Sequence, residues 1–167
     1  MSDTSPMIRP VRAFVAFGAN LGEPSAAFDL ALLGLGKVPR TRVTAHSALY
    51  RTAPIGVEGQ PDYINAVIGL ETSLAARLLL EALLGLEHQC GRTRDFPMAP
   101  RSMDLDLLLY GDAIIDEHDL QVPHPRMHLR AFALVPLAEI APGTIIPGRG
   151  RVADLLPMVA DQSIARS

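Results

Sequence analysis

The chain has 167 residues, of which 49% are hydrophobic and 20% charged, and its formal net charge is −3 at pH 7. This length and composition indicate one soluble globular domain spanning 1–167, large enough to bury a core without disulfides or structural metals. The net charge excludes a general basic field, so we expect no nucleic-acid partner and no membrane association.

Cysteine content and the chain ends bear on the compartment. Cys90 is the single cysteine, which excludes an intramolecular disulfide and a zinc site of paired cysteines. No signal peptide and no apolar stretch of membrane-spanning length is visible. These features predict a cytoplasmic protein. We also expect loosely ordered tails at 1–10 and 161–167.

In the first half of the chain, apolar spacing predicts three strands, one helix and a long loop. The helix is indicated by acidic and proline start signals and by apolar residues at helical intervals. The loop has eleven residues with two prolines and two glycines, a length typical of functional loops. In order, the predicted elements are a strand at 13–17, a turn at 18–22, a helix from 23–25 to 36, a strand at 41–50, a loop at 52–62 and a strand at 63–72.

The second half continues with a leucine-rich helix and a further strand. In order, we predict a helix at 75–89 that ends at Gly91, a loop at 91–102, a strand at 103–110, a helix at 127–140 and a short helix at 152–160. The order strand, helix, strand, strand, helix, strand is that of a split βαβ unit. The sequence therefore predicts an α+β fold: a ferredoxin-like sandwich with an antiparallel βαββαβ core packed with helices, plus C-terminal helices.

Asp104 and Asp106 flank a leucine at the start of the last long strand. Side chains at positions i and i+2 of a strand share a face, about 6.6 Å apart along the chain. Two divalent cations about 3.5–4 Å apart, binding an anionic phosphate, would neutralise such a pair. The alternative is a strand end with two solvated aspartates. The residues expected to face the core from this strand are Met103, Leu105, Leu107 and Leu109.

Arginines cluster around this aspartate pair. Arg92, Arg94 and Arg101 precede it, and Arg126 and Arg130 follow a proline-rich segment at 122–125. A guanidinium fork suits phosphate oxygens, and three arginines close to a candidate metal pair favour a phosphate site over solvated surface charges. No P-loop or dinucleotide fingerprint is present, so ATP would have to be held by another design.

Three further residues are candidates for binding. His124 lies between two prolines and could hydrogen-bond a phosphate or a ribose, although a lone histidine is more often a structural hydrogen bonder. Tyr63 and Asn65 would share one strand face, where a ring for stacking lies beside an amide that donates and accepts. In isolation they are equally consistent with core and strand-edge positions.

Seven short segments carry a family resemblance. They are FGANLG at 17–22, YRTAPIG at 50–56, QPDYINA at 60–66, GRTR at 91–94, APRSMDLD at 99–106, VPHP at 122–125 and RAF at 130–132. Together they resemble the 6-hydroxymethyl-7,8-dihydropterin pyrophosphokinase family of folate biosynthesis, over about 13–142. The APRSMDLD segment with its upstream GRTR is the specific part, whereas the glycine-rich turn alone is weak.

The resemblance implies an enzyme that transfers the diphosphate of ATP to the hydroxymethyl group of the pterin, giving AMP and the pterin diphosphate. It makes Asp104 and Asp106 the ligands of two Mg²⁺ ions, and Arg92 and Arg101 the catalytic cations that steady the transferring phosphates. ATP and the pterin are the implied partners, and we expect a monomer.

The resemblance also implies the two substrate sites. For the pterin these are Thr52, Ile55, Tyr63, Asn65 and Phe132. For ATP they are Glu87, Arg94, Arg101, His124 and Arg130. Three features depart from the family pattern, because residues 95–98 form a different and shorter loop, Leu84 stands where a glutamine can contact the nucleotide, and Asp119 stands where an arginine can. We therefore expect ATP to be bound more weakly or differently.

Two other classes of protein stay open on the residues alone. A two-metal nucleotidyl transferase or nuclease would also place an acidic pair on such a sheet, but it would need a basic track for nucleic acid. A non-catalytic ferredoxin-like ligand-sensing module would not require the aspartates and the neighbouring arginines together.

Overall fold

A computed structural model describes residues 9–19, 24–52, 63–91 and 103–167. These residues contain a six-stranded sheet in the order β10-β3-β4-β1-β5, with β2 also paired to β4, and every pairing in it is antiparallel. Its strands are β1 (Val11–Ala19), β2 (Thr41–His46), β3 (Tyr50–Thr52), β4 (Tyr63–Thr72), β5 (Asp104–Tyr110) and β10 (Ala165–Arg166).

The helices and short hairpins lie between and after these strands. The α-helices are α1 (Pro24–Gly36), α2 (Ala76–Gly91), α3 (Ala131–Ile140) and α4 (Val152–Leu155). Short 3₁₀ helices occupy Met127–Leu129 and Leu156–Val159. The hairpins are formed by β6 (Ile115–Glu117) with β7 (Leu120–Val122), and by β8 (Ile145–Ile146) with β9 (Gly150–Arg151). The structure is thus a mixed fold of helices and an antiparallel sheet.

One side of the sheet, here called the first face, is covered by α1 and α2. Phe17, Ile68 and Leu105 of three neighbouring strands pack there with Phe28 of α1 and Leu79 of α2. The rings of Phe17 and Phe28 meet edge to face with centroids 5.0 Å apart. Burial of apolar side chains along the full length of this face makes it the larger of the two cores.

The opposite side, here called the second face, is covered by α3 and α4. Phe14 of β1 and Val67 of β4 pack against Leu134 and Leu137 of α3 and Val152 of α4. Because both faces are covered, residues 64–70 of β4 are buried without interruption, so the strand lacks the alternation of a half-exposed sheet. The sequence predicted C-terminal helices in these regions but not that they cover the second face.

Several predicted boundaries are confirmed and others are corrected. β4 matches its predicted bounds, and β5 begins one residue later than predicted. The predicted strand at 41–50 is two strands, because the Ser47 side chain replaces the ladder: its hydroxyl accepts a bond from the Val67 N–H at 2.9 Å. The predicted helix at 127–140 is a 3₁₀ turn followed by α3, separated by the extended residue Arg130.

A bulge in β5 corrects the predicted core face of that strand. The register shifts so that Val15 pairs with Leu107 and Phe14 with Leu109, which leaves Leu108 as the extra residue. Leu109 therefore joins the core of the second face, not the first as its spacing predicts. Leu105 and Leu107 lie in the first core as expected.

The C-terminal segment also differs from expectation. Ala165–Arg166 pairs with β3 in the region for which the sequence predicts a loosely ordered tail. The Ser167 N–H donates to the Leu49 carbonyl at 2.9 Å. The polar composition of this segment does not prevent the pairing, because backbone pairing to an edge strand needs few apolar side chains. Within the described ranges, no helix combines the length and apolar character that crossing a membrane would require.

Candidate active site

The strand register gathers polar residues at one end of the second face, where β1 ends and β4 and β5 begin. Asn65 pairs with Gly18, and Gly18 pairs with Asp104 on its other side. In the next row, Ala16 lies between Val67 and Asp106. Neighbouring strands are about 4.8 Å apart, so Asn65 and Asp104 are about 10 Å apart across the sheet. We call this region the polar end.

The strand edge beside Asn65 is fixed by a side-chain hydrogen bond. Asn65 is 7% exposed, and its Nδ2 donates to Oγ1 of Thr52 at 2.9 Å. Thr52 pairs with Tyr63, which lies two residues before Asn65 and so on the same face, with 39% of its surface exposed. These three residues form one ledge with a buried amide and an accessible ring.

Gly18 leaves the middle of the polar end without a side chain. A Cβ built at Gly18 would lie 3.6 Å from Oδ1 of Asn65, an ordinary van der Waals contact. A larger side chain at this position would extend over the second face between Asn65 and Asp104. The glycine thus leaves the space between the amide and the carboxylate accessible.

Asp104 and Asp106 lie on the second face at the edge strand β5, as their spacing predicts. Asp106 is exposed and Asp104 is partly buried. The peptide between them is held from the other side, because the Leu105 N–H donates to Oε1 of Glu87 in α2 at 3.2 Å. Glu87 therefore satisfies a donor at the sheet edge and fixes the direction of the strand that carries both aspartates.

The donor set of this pair suits Mg²⁺. Mg²⁺ takes oxygen ligands in octahedral geometry and is usually held by one or two carboxylates together with substrate phosphates and water. Among the described residues, no cluster of three or more His, Cys, Asp or Glu side chains could form an all-protein metal cage. Two carboxylates on one accessible face match the first arrangement and not the second.

His124 interacts electrostatically with Asp106, and its burial favours the neutral imidazole. Its Nδ1 accepts a hydrogen bond from the Arg126 N–H at 3.2 Å, which assigns the proton of the neutral ring to Nε2. Burial lowers its pKa below the ordinary 6.5, and the charges of Arg130 and Arg126 lower it further, while Asp106 opposes this shift. An Nε2–H donor near the carboxylates can bind a phosphate oxygen.

Arg130 and Phe132 lie at the start of α3, and the charge of Arg130 acts on His124. The Arg130 guanidinium lies 5.3 Å from the centroid of the Phe132 ring, a distance that permits a cation–π contact. Both residues are partly buried. The pair therefore presents a cation and an aromatic ring from the same turn.

The far end of α3 is tied to β3 through Glu139. The Tyr50 hydroxyl donates to Oε1 of Glu139 at 2.6 Å, and the Ala48 N–H donates to the same carboxylate. Arg166 of β10 lies 3.6 Å from this carboxylate. Burial and the bond to Glu139 raise the Tyr50 pKa, and Arg166 opposes that shift. This network fixes the strand that leads to Thr52.

Next to His124 the surface opens into a cleft of about 250 Å³. Its lining comprises Pro123, His124, Pro125, His128, Ile146, Pro147, Gly148 and Arg149. Burial and the charge of Arg149 lower the pKa of His128. The cleft lies between the proline-rich segment that carries His124 and the β8–β9 hairpin.

The structure brings together many, but not all, of the residues that the sequence singles out. Thr52, Tyr63, Asn65, Asp104 and Asp106 meet on one face, with His124 beside them. Arg130 and Phe132 meet each other, and Glu87 contacts β5 from the first face. Four predicted residues lie outside the described residues, namely Ile55, Arg92, Arg94 and Arg101.

Two departures from the family pattern have defined surroundings. Asp119 accepts a bond from Arg77 of α2 at 2.7 Å, and this bond lowers the Asp119 pKa. Arg77 also pairs with Glu117. Leu84 is 53% exposed, one helical turn before Glu87. Neither side chain forms part of a core.

Sequence reasoning missed three contributors to this arrangement. Gly18 was assigned to a turn, and only the register shows that it separates Asn65 from Asp104. Glu139 and Gln162 act through contacts across 89 and 31 residues of sequence, which no local pattern reveals. Glu139 is signalled only as the one polar residue of an otherwise apolar helix, and Gln162, between Asp161 and Ser163, gives no signal.

Comparison with solved structures supports the fold. The Plasmodium falciparum wild-type HPPK-DHPS crystal structure matches with a TM-score of 0.72 at 12% identity, covering 92% of this chain and 45% of that one. A crystal structure described as HPPK-DHPS in complex with substrates gives a TM-score of 0.67 at 13% identity, covering 89% and 43%. This chain spans less than half the length of those proteins, and at such identities the likeness concerns the fold alone.

Sequence comparison establishes the family. Proteins named 2-amino-4-hydroxy-6-hydroxymethyldihydropteridine pyrophosphokinase are 41% identical in Pseudomonas aeruginosa, covering 93% of this chain and 96% of that protein, and 36% identical in Haemophilus influenzae, covering 93% and 98%. The family model for 7,8-dihydro-6-hydroxymethylpterin-pyrophosphokinase matches residues 14–142, which include the polar end, His124, Arg130 and Phe132. The chain therefore belongs to the 7,8-dihydro-6-hydroxymethylpterin-pyrophosphokinase family.

Proposed function

We propose that this folate-pathway pyrophosphokinase uses Asp104 and Asp106 to hold two Mg²⁺ ions that bind the phosphates of ATP. The observation that carries the proposal is the shared, accessible face of the two carboxylates at an edge strand. When bound, the ions would supply charge neutralisation for the transferring diphosphate. The aspartates fix where that charge is neutralised, because Glu87 holds the peptide between them.

Arg130 as a cation and His124 as a neutral hydrogen-bond donor would contact ATP. His124 interacts electrostatically with both Asp106 and Arg130, and its Nε2–H is free of the bond that engages Nδ1. We infer that they bind phosphate oxygens, together with Arg92, Arg94 and Arg101 from outside the described residues. Phosphoryl transfer depends mainly on positioning and charge stabilisation, so several cations with modest individual effects suit the reaction.

The pterin would bind at the ledge formed by Thr52, Tyr63 and Asn65. A flat heterocycle rich in hydrogen-bonding groups needs an aromatic face and a few fixed polar partners. The Asn65 amide is fixed by Thr52, and its Oδ1 faces Gly18. We infer that Phe132 covers the ring opposite Tyr63 and that Ile55 completes the site.

In the proposed transfer, one P–O bond forms as another breaks. The hydroxymethyl oxygen of the pterin attacks the β-phosphorus of ATP and forms a new P–O bond. The bond from that phosphorus to the oxygen it shares with the α-phosphate breaks, and AMP leaves with the bonding pair. The hydroxyl proton is lost to solvent. The chain contributes orientation of the two substrates and exclusion of water.

The strand order and the two helices on the first face support a ferredoxin-like core, to which α3 and α4 add a second layer. We infer one domain over 1–167 acting as a monomer. The single cysteine supports a reducing compartment, the cytoplasm.

The deciding experiment measures AMP formation from ATP with and without 6-hydroxymethyl-7,8-dihydropterin. We expect AMP only with the pterin, and only with Mg²⁺. Release of pyrophosphate in place of AMP would favour a nucleotidyl transferase, and absence of turnover with the reduced pterin would favour a ligand-sensing module. Omission of Mg²⁺ without loss of rate would reject the metal proposal alone.

A further inference from the structure

The start of α3 lacks a conventional cap. Arg130 is the N-cap residue, with extended backbone angles of φ −124° and ψ 116°, and its side chain makes no capping hydrogen bond. A guanidinium has donors and no acceptor, so it cannot bind the free N–H groups of the first turn. Ala131 is 2% exposed, so its N–H needs an acceptor from elsewhere in the chain.

Gln162, near the C-terminus, supplies that acceptor. Its Oε1 accepts a hydrogen bond from the Ala131 N–H at 2.8 Å, and its Nε2 donates to the Leu129 carbonyl at 2.8 Å. One planar amide thus bridges the backbone on both sides of Arg130. The two bonds fix the peptide groups that determine where the Arg130 side chain leaves the backbone.

The surrounding segment keeps Gln162 in place. Its N–H donates to the carbonyl of Val159, a residue buried in the core of the second face. Further along, Arg166 approaches Glu139 near the end of α3. Gln162 contacts the start of α3 and Arg166 approaches its end, so the segment between them runs beside that helix.

We infer that Gln162 is a positioning residue for diphosphate transfer, acting through the backbone of Arg130. This inference depends on the proposed roles of Arg130 and Phe132 in binding ATP and the pterin. Because the guanidinium lies 5.3 Å from the Phe132 ring, a shift of the Arg130 backbone moves both groups. Loss of the Gln162 bridge would therefore weaken the contacts that both substrates make at this turn.

The first test replaces the amide. Gln162→Ala removes both bonds, and we expect the KM values for the pterin and ATP to rise about tenfold, with kcat less affected. The measurement is steady-state AMP formation by the full chain, normalised to the folded fraction from circular dichroism. Ser163→Ala, an exposed neighbour on the same segment, is the matched control and should behave as wild type. Unchanged KM values with a lower kcat would overturn the inference.

A second variant uses protonation to restore the bridge. In Gln162→Glu, the carboxylate accepts from Ala131 but cannot donate to the Leu129 carbonyl, whereas the protonated acid can do both. We expect kcat/KM relative to wild type to rise as the pH falls from about 7 to about 4, the range in which an exposed glutamate takes up its proton. A ratio that stays flat over this range would overturn the positioning role.

The design separates this inference from the proposed function. If wild type releases no AMP in response to the pterin, the proposed function fails. If wild type and Ser163→Ala are active and Gln162→Ala retains wild-type KM values, only the role of Gln162 fails. Raised KM values in Gln162→Ala, together with pH rescue in Gln162→Glu, support it.

Discussion

The two faces of the sheet differ most where neighbouring residues of the same three strands point to opposite sides. On the first face, Ala66, Phe17 and Leu105 form a row across β4, β1 and β5 that is buried from end to end. On the second face, the adjoining row of Val67 and Ala16 ends in the exposed Asp106. A one-residue step along each strand changes the row from core to candidate metal site.

This difference teaches how the fold separates stability from chemistry. Successive side chains of a strand point to opposite faces, so one strand can anchor a core and present a polar group at once. Substitutions on the first face should change the free energy of unfolding and leave substrate binding intact. Substitutions at the polar end should do the reverse, and variants on both sides can test that separation.

Asp106→Asn should have the largest effect on activity. The change preserves shape and removes the charge, so we expect kcat/KM to fall about a thousandfold or more at saturating Mg²⁺. The unfolding midpoint should not fall, because Asp106 is exposed. AMP release measures the first quantity and thermal unfolding the second. Asp112→Asn, an exposed aspartate just past β5, serves as control; near-normal turnover of Asp106→Asn would contradict the assignment.

Leu79→Ala should show the converse behaviour. Leu79 of α2 is fully buried against the first face, so we expect the free energy of unfolding to fall by about 2–5 kcal/mol. The KM values should stay unchanged for the folded fraction. Leu78→Ala, the neighbouring leucine with 50% exposure, should cost much less. Equal losses for the two leucines, measured by urea unfolding, would show that α2 is not packed as described.

The sequence predicted the first face better than the second. Helical spacing and strand alternation located α1, α2, β4 and β5, because each of these elements buries a periodic set of apolar residues. The bulge at Leu108 was not predictable, since a run of leucines has no alternation to break. The hairpins of two or three residues per strand were missed for the same reason.

The candidate site was predictable where its members are close in sequence. Asp104 and Asp106 share a strand, so spacing alone placed them on one face. Gln162 and Glu139 act on partners far away in the chain, and their side chains satisfy backbone donors that no propensity identifies. Such contacts depend on how α3 docks, which follows from packing and not from local pattern.

Thr52→Val tests the pterin ledge and should have an intermediate effect. The change removes the hydroxyl that accepts from Asn65, which leaves a buried amide donor without its bond. We expect KM for the pterin to rise about five- to tenfold, with KM for ATP unchanged. Thr52→Ser retains the hydroxyl and should resemble wild type. If the valine and serine variants raise KM equally, the hydrogen bond does not set the position of Asn65.

The pH dependence of stability should reveal the neutral state of His124. Its folded pKa lies below 6.5, mainly through burial, so the unfolded chain binds this proton more readily. Its contribution to stability is therefore present above pH 6.5 and is lost as the pH falls below that value. The free energy of unfolding can be measured with urea, without Mg²⁺, at several pH values. Its dependence on pH should be weaker in His124→Gln than in wild type. An identical slope in wild type and variant would contradict the burial of the imidazole.

Leu84→Gln should have a small effect, and it tests how tightly ATP is bound. Leu84 lies one turn before Glu87 on an exposed part of α2, so a glutamine there adds a polar group without disturbing a core. One new hydrogen bond corresponds to an affinity gain of about fivefold. Titration calorimetry with a non-hydrolysable ATP analogue and Mg²⁺ measures it, with Leu78→Gln on the same helix as control.

Asp119→Arg should gain less than Leu84→Gln, because it breaks the bond to Arg77 and sets two guanidinium groups side by side. If neither variant changes the affinity for the ATP analogue, the prediction of weaker or different ATP binding is wrong. The nucleotide would then be held mainly from the second face, by the aspartate-bound phosphates and the cations at the start of α3. In that case the chemistry and both substrates would depend on one face, with the other devoted to the core.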